Sequence, residues 1–112
     1  MKTKTEIIKS LETRKENSAW SKGVKNYAID LVDECEGAIT EENLLNGTRN
    51  WDEYSAGGCA LIYNEDIAKA LCTPSELKRN DSGRLNPNGR ENWIDCQARA
   101  LKQAWKLIKR TI

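Results

Sequence analysis

The side chains best suited to chemistry in this chain are cations and carboxylates, because the sequence contains no histidine. That removes Ser-His and Cys-His nucleophiles together with the commonest general base near neutral pH. Carboxylate pairs occur at Glu41/Glu42, Asp52/Glu53 and Glu65/Asp66. Neighbours on a helix project about 100° apart, so a single pair does not make a two-carboxylate centre. Each pair falls where a helix start favours negative charge. Gly57-Gly58 lacks the Lys-Ser/Thr of a phosphate-binding loop and the spaced third glycine of a dinucleotide fingerprint. The cysteines, Cys35, Cys59, Cys72 and Cys96, form no Cys-x-x-Cys pair, so zinc patterns are missing too. No catalytic residue, metal site, cofactor or small-molecule substrate is expected, and the chain is read as a non-enzyme.

Cationic chemistry is better supplied. Between Lys78 and Arg90 the chain carries Lys78, Arg79, Arg84 and Arg90 among Asn80, Ser82, Asn86, Asn88 and two glycines, against one acid, Asp81. Basic loops with amide side chains suit phosphate contacts, which dominate nucleic-acid affinity. Lys102 and Lys106, with Lys109 and Arg110, extend the patch along the following segment. The total charge of +1 is low for a dedicated nucleic-acid binder, but it is unevenly distributed. Residues 1–25 sum to +4, residues 26–56 to −7 and residues 57–112 to +4. The acidic middle, with Glu41, Glu42, Asp52 and Glu53, offers a second surface that could mimic nucleic acid or block a site for it.

Helical periodicity must position these groups. Thr3-x-x-Glu6 has the form of a capping box, opening a helix with Ile7, Ile8 and Leu11 that runs to about Glu16. A second helix starts at Ser18 or Ser21, and Val24, Tyr27, Ala28, Leu31, Val32 and Cys35 follow the helical period until Gly37 stops it. Trp20 is expected to plug the core at the junction. Thr40 caps a short helix over 41–46, and a turn is expected through Trp51 and Tyr54. From Cys59 to Tyr63 the pattern fits helix or strand, with helix favoured because Leu61, Ile62, Ile67, Ala68, Ala70 and Leu71 continue into an alanine-rich segment. Thr73-Pro74-Ser75-Glu76 is the most specific local signal: a cap, a proline at the first helical position and a reciprocating glutamate. The short helix it opens should end at the Asn80-Asp81-Ser82-Gly83 turn. A long final helix spans about 90–110, with Ile94, Ala98, Leu101, Trp105 and Ile108 on one stripe and Trp93, Cys96, Ala100, Ala104 and Leu107 beside it.

No alternating strand pattern or internal repeat is evident, and the expected fold is a compact all-α single domain, 1–112, of about five or six helices. The stretch from Trp51 to Leu77 reads as its packing hub, with Trp51, Tyr54, Leu61, Ile62, Ile67 and Leu71 buried by the outer helices. Charged residues make up 31% of the chain, and no apolar run approaches the ~20 residues of a spanning helix. The amino terminus lacks an apolar secretory core, so the expected location is the cytoplasm, with no membrane partner. In that compartment the cysteines should be buried free thiols. Residues 66–79 also carry part of a helix-turn-helix pattern, but Cys72 stands at the turn position usually held by glycine and Thr73 at an apolar one.

The segments Trp51-Asp-Glu-Tyr-Ser-Ala-Gly-Gly-Cys-Ala-Leu-Ile-Tyr, Leu71-Cys-Thr-Pro-Ser-Glu-Leu-Lys-Arg and Asn92-Trp-Ile-Asp-Cys-Gln-Ala-Arg-Ala-Leu together resemble a group of small uncharacterised proteins of phages and conjugative elements of Gram-positive bacteria. The resemblance implies an accessory role on a mobile element and brings no catalytic residues with it. Small proteins of such elements include DNA-transfer and copy-control factors and inhibitors of host defence, anti-CRISPR proteins among them. The expected function is binding of nucleic acid, or of a nucleic-acid-handling protein, through the basic loop and last helix. The alternative is inhibition of a host-defence protein through the acidic surface.

Overall fold

A computed structural model describes residues 2–44 and 65–112, the Arg90 side chain excepted. Helix α1 covers Lys4–Glu12 and helix α2 Ala19–Glu34. A helical turn lies at residues 41–44. Helix α3 covers Glu65–Leu71, followed by a 3-10 turn at Pro74–Glu76. Strand β1, Leu77–Arg79, pairs antiparallel with β2, Leu85–Pro87, before helix α4 runs through Arg90–Lys109. The fold is therefore mostly helical with a two-stranded sheet. This corrects the all-α expectation.

The helix starts follow the sequence closely. Thr3 Oγ1 accepts the Glu6 amide at 3.2 Å while Glu6 accepts the Thr3 amide at 3.1 Å, completing the capping box. Ser18 and Ser21 make the same exchange at the start of α2, and Thr40 Oγ1 accepts the Asn43 amide. The stops are earlier than periodicity suggests. Helix α1 ends at Glu12, and beyond its last turn Lys25 Nζ donates to the carbonyls of Glu12 and Arg14, at 3.3 and 2.7 Å, satisfying acceptors that a helix end leaves without an intrahelical partner. Helix α2 ends before Gly37, with Cys35 extended and its carbonyl taking Lys4 Nζ at 3.0 Å. Its last turn carries no base, and Asp30, Asp33 and Glu34 oppose the helix dipole there.

Helix α2 is central, packing on α1, α3 and α4. Ile7 and Leu11 from α1, and Tyr27, Ala28, Leu31 and Val32 from α2, enter the core at helical spacing. Ile67, Ala68 and Leu71 of α3 join them. Small buried residues, Ala28, Ala68, Ala100 and Ala104, let the helix axes approach closely. On α4 the buried stripe is Cys96, Ala100, Leu101, Ala104, Leu107 and Ile108, whereas Ile94 is 49% exposed and Ala98 and Trp105 half-buried. The core thus takes Leu101 and Ile108 from the first predicted stripe and Cys96, Ala100, Ala104 and Leu107 from the one beside it. Ile67 and Leu71 of the expected hub are buried. Trp51, Tyr54, Leu61 and Ile62, like Cys59, Asp52 and Glu53, lie outside the described residues.

Two sequence readings fail between α3 and α4. The Thr73 cap opens only a 3-10 turn, after which Leu77 is extended, so no second helix follows and a helix-turn-helix is excluded. Cys72 and Cys96 are joined in a disulfide, where free thiols were expected, because α3 ends against the first half of α4 with their Cα atoms 6.0 Å apart. Cys35 is free and half-buried.

The bond closes a loop across a sequence separation of 24 and constrains the unfolded chain by about 3 kcal/mol. A non-reducing tryptic map should therefore contain Ala70–Lys78 linked to Glu91–Arg99. Dithiothreitol should lower the melting temperature of the wild type and leave a Cys72→Ser/Cys96→Ser protein unchanged. Recovery of the two peptides only as separate free thiols in the non-reducing map would refute the bond.

Candidate functional site

The basic loop predicted from sequence is an ordered hairpin. Its two strands are three residues each, with Leu77 opposite Pro87, Lys78 opposite Asn86 and Arg79 opposite Leu85. The Asn80 amide donates to the Arg84 carbonyl at 2.9 Å and the Gly83 amide to the Asn80 carbonyl at 2.9 Å. Gly83 has φ +83°, a left-handed conformation that closes the three-residue loop and that a side chain would strain. Asn80 Oδ1 accepts from the amides of Ser82 and Arg84, both at 3.0 Å, and from the Ser82 hydroxyl at 2.7 Å. The tip is thus held from within by one asparagine.

The base of the hairpin is held from outside. Glu76 stands at its entry, and Arg99, nine residues into α4, reaches it with two parallel bonds: Nη1 to Oε1 at 2.8 Å and Nη2 to Oε2 at 3.1 Å. Arg99 Nη1 also donates to the Leu71 carbonyl at 2.9 Å, satisfying the end of α3. Glu76 in turn accepts the Thr73 amide at 2.8 Å and the Thr73 hydroxyl at 3.1 Å. The Arg99 guanidinium first, and then the Thr73 amide, hold the Glu76 carboxyl down at about 2. The Asn88 amide closes the hairpin base on the Glu76 carbonyl at 2.7 Å.

The cations named from sequence separate into distinct roles. Arg79 is committed to structure: Nη1 donates to Glu65 at 2.7 Å and to the Gly83 carbonyl at 2.9 Å, tying the tip to the start of α3. That pairing pulls the Glu65 carboxyl below its usual value. Lys78 is exposed on β1 and Arg84 exposed at the turn exit. Lys102 and Lys106 are exposed on α4. The Arg90 side chain lies outside the described set, although its backbone begins α4. At seven and eleven residues past Arg99, Lys106 and Arg110 return to within about 20° of its direction around the helix axis, with Lys102 about 60° to one side. A basic line therefore continues from the hairpin's anchor along α4. Among the described residues, Lys78, Lys102 and Lys106 enter no ion pair.

No family model, curated protein or solved structure matches the chain.

Of the acidic alternative, Asp52 and Glu53 lie outside the described residues. Glu41 is half-buried and Glu42 exposed. Among the described residues, Asp30, Asp33 and Glu34 gather at the end of α2, where burial and then mutual repulsion raise the Asp30 and Glu34 carboxyls above their ordinary values. These acids belong to the acidic middle read from sequence, residues 26–56, where Glu41, Glu42, Asp52 and Glu53 were named in their place. The Arg99–Glu76 clamp was missed, being a pairing across 23 positions with no local signature. The Glu76 half of it was legible as a capping residue.

The clamp sets a pH dependence. Glu76 protonates at about 2 in the folded protein but near the ordinary glutamate value of 4.5 once unfolded, so its stabilisation is complete above about 4.5 and is lost as pH falls toward 2. Glu76→Gln should melt below the wild type at neutral pH, and the gap should close between about pH 4.5 and 2. A gap independent of pH across that window would contradict the assignment.

Proposed function

We propose that this protein acts by binding, and that the hairpin with the adjoining face of α4 is a docking surface for nucleic acid or for a nucleic-acid-handling protein. The observation that carries the reading is the contrast among its cations. Arg79 and Arg99 are tied to carboxylates and fix the frame, whereas Lys78, Lys102 and Lys106 project into solvent without a carboxylate partner among the described residues. Exposed cations on a rigid hairpin and helix face suit phosphate oxygens, and a frame fixed beforehand reduces the ordering cost of association. The resemblance to small mobile-element proteins supplies the setting, an accessory factor of a phage or conjugative element working in the cytoplasm. None of the described helices is long and apolar enough to cross a membrane. A cytoplasmic home requires the Cys72–Cys96 bond to persist among reductants, and the burial of both cysteines, 5% and 0% exposed, restricts thiolate attack on it.

A second reading is favoured by the Asp30–Asp33–Glu34 cluster: an inhibitor of host defence presenting an acidic face to a basic nucleic-acid site. It calls for a protein partner whose capture survives Lys78→Glu/Arg84→Glu and is lost on Asp30→Asn/Asp33→Asn.

The leading reading is checked by fluorescence anisotropy of labelled DNA and RNA across a salt series. Binding should weaken linearly in log–log form with salt, and Lys78→Glu/Arg84→Glu should reduce the slope by about two phosphate contacts. No binding of DNA or RNA by the wild type, even at low salt, would overturn it.

A further inference from the structure

A cleft of about 250 Å³ lies between the α1–α2 junction and the last turns of α4. Trp20 forms one wall, and Arg14, Lys106 and Arg110 bring three cations to its rim against one carboxylate, Glu16. Gln103 and Ser21 add polar groups. The cleft belongs neither to the hairpin nor to the acidic cluster, yet it shares Lys106 with the basic line that leaves Arg99.

Its walls are built rather than incidental. Lys25 fixes the α1–α2 junction by donating to the Glu12 and Arg14 carbonyls. The Arg14 guanidinium is aligned by Glu16 at 3.2 Å. Trp20 is half-buried and packs on the core, which holds its ring in place. Among the described residues Lys106 and Arg110 have no ion-pair partner, so their charges face the rim uncompensated. The volume is below the ~300–1,000 Å³ of pockets for drug-sized molecules, and suits one planar ring system.

An aromatic wall beside uncompensated cations recognises a flat, π-faced group attached to an anion. We propose that the cleft seats one unpaired base of a single-stranded nucleic acid, the ring stacked on Trp20 and its phosphate held by Lys106 and Arg110. This rests on the nucleic-acid reading above and deepens it by naming the strand state. Duplex would meet the hairpin and helix cations through its phosphates alone, because paired bases are not free to enter the cleft. The line from Arg99 to Arg110 spans about 16 Å along α4, so one strand can touch the hairpin anchor and the cleft together.

The test compares labelled oligothymidylate with a duplex of the same length, using the intact protein. Trp20→Leu keeps an apolar side chain at the wall but removes the stacking face, and should weaken oligothymidylate binding about tenfold or more while leaving duplex binding unchanged. Trp20→Phe should retain most of the single-strand affinity. Independently of any variant, ultraviolet cross-linking of a bromouracil-substituted single strand to the wild type should label the tryptic peptide Glu16–Lys22. Unchanged single-strand affinity in Trp20→Leu, equal losses for both forms, or cross-links confined to other peptides would overturn the seat while leaving the nucleic-acid reading intact. A wild type that binds neither form would refute that reading, and the seat with it.

Discussion

The paired bonds between Arg99 and Glu76 join the parts of this fold that sequence alone leaves separate. One guanidinium meets a carboxylate at the entry to the hairpin and a carbonyl at the end of α3, from a position midway along α4. Planar, bidentate geometry makes such a pair directional as well as attractive, and a lysine would supply the charge without the alignment. The Cys72–Cys96 bond crosses the same junction three residues earlier on α4, from the first residue of the buried stripe that packs the helix on α2. A hairpin of two three-residue strands has little stability of its own. Here it is carried by the covalent and ionic links at its base.

That arrangement divides the basic residues into those that build and those that remain available. Arg79 and Arg99 are consumed in fixing the hairpin, and Lys25 and Lys4 are consumed in satisfying helix-end carbonyls. Among the described residues of the hairpin and α4, Lys78, Lys102, Lys106, Lys109 and Arg110 enter no ion pair and stand on elements whose backbones are already fixed. The charge asymmetry of the sequence therefore overstates the number of cations without a structural role.

How much of this was legible depended on whether the signal was local. The caps at Thr3 and Thr40 were readable because a hydroxyl and an orphan amide three residues on make a short-range pattern, and the start of α2 was narrowed to Ser18 or Ser21, the two partners of its capping box. The buried stripe of α2 was readable for the same reason. Strands as short as Leu77–Arg79 and Leu85–Pro87 have no room to establish an alternating period, and the Thr73 cap pointed toward a helix. The Asn80-Asp81-Ser82-Gly83 turn was recognised, but as a helix terminator rather than as the centre of a hairpin. Cys72 pairs with Cys96 across α3 and α4, and an even cysteine count without close spacing does not encode that contact. For the candidate site, the residue types and most positions were visible in sequence. Which cations are engaged by carboxylates was not, since Arg79–Glu65 and Arg99–Glu76 are tertiary pairs.

The central claim is that the hairpin is a preformed surface held by the Arg99–Glu76 clamp. Amide hydrogen exchange at Asn80 and Asn88 tests it most directly, since these groups donate across the tip and the base of the hairpin. The account predicts slow exchange at both in the wild type under non-reducing conditions. It predicts a marked acceleration at Asn88 in Arg99→Leu, while amides in the middle of α2 stay protected. Exchange at Asn80 and Asn88 as fast as in an unstructured peptide, with the wild type otherwise folded, would contradict it.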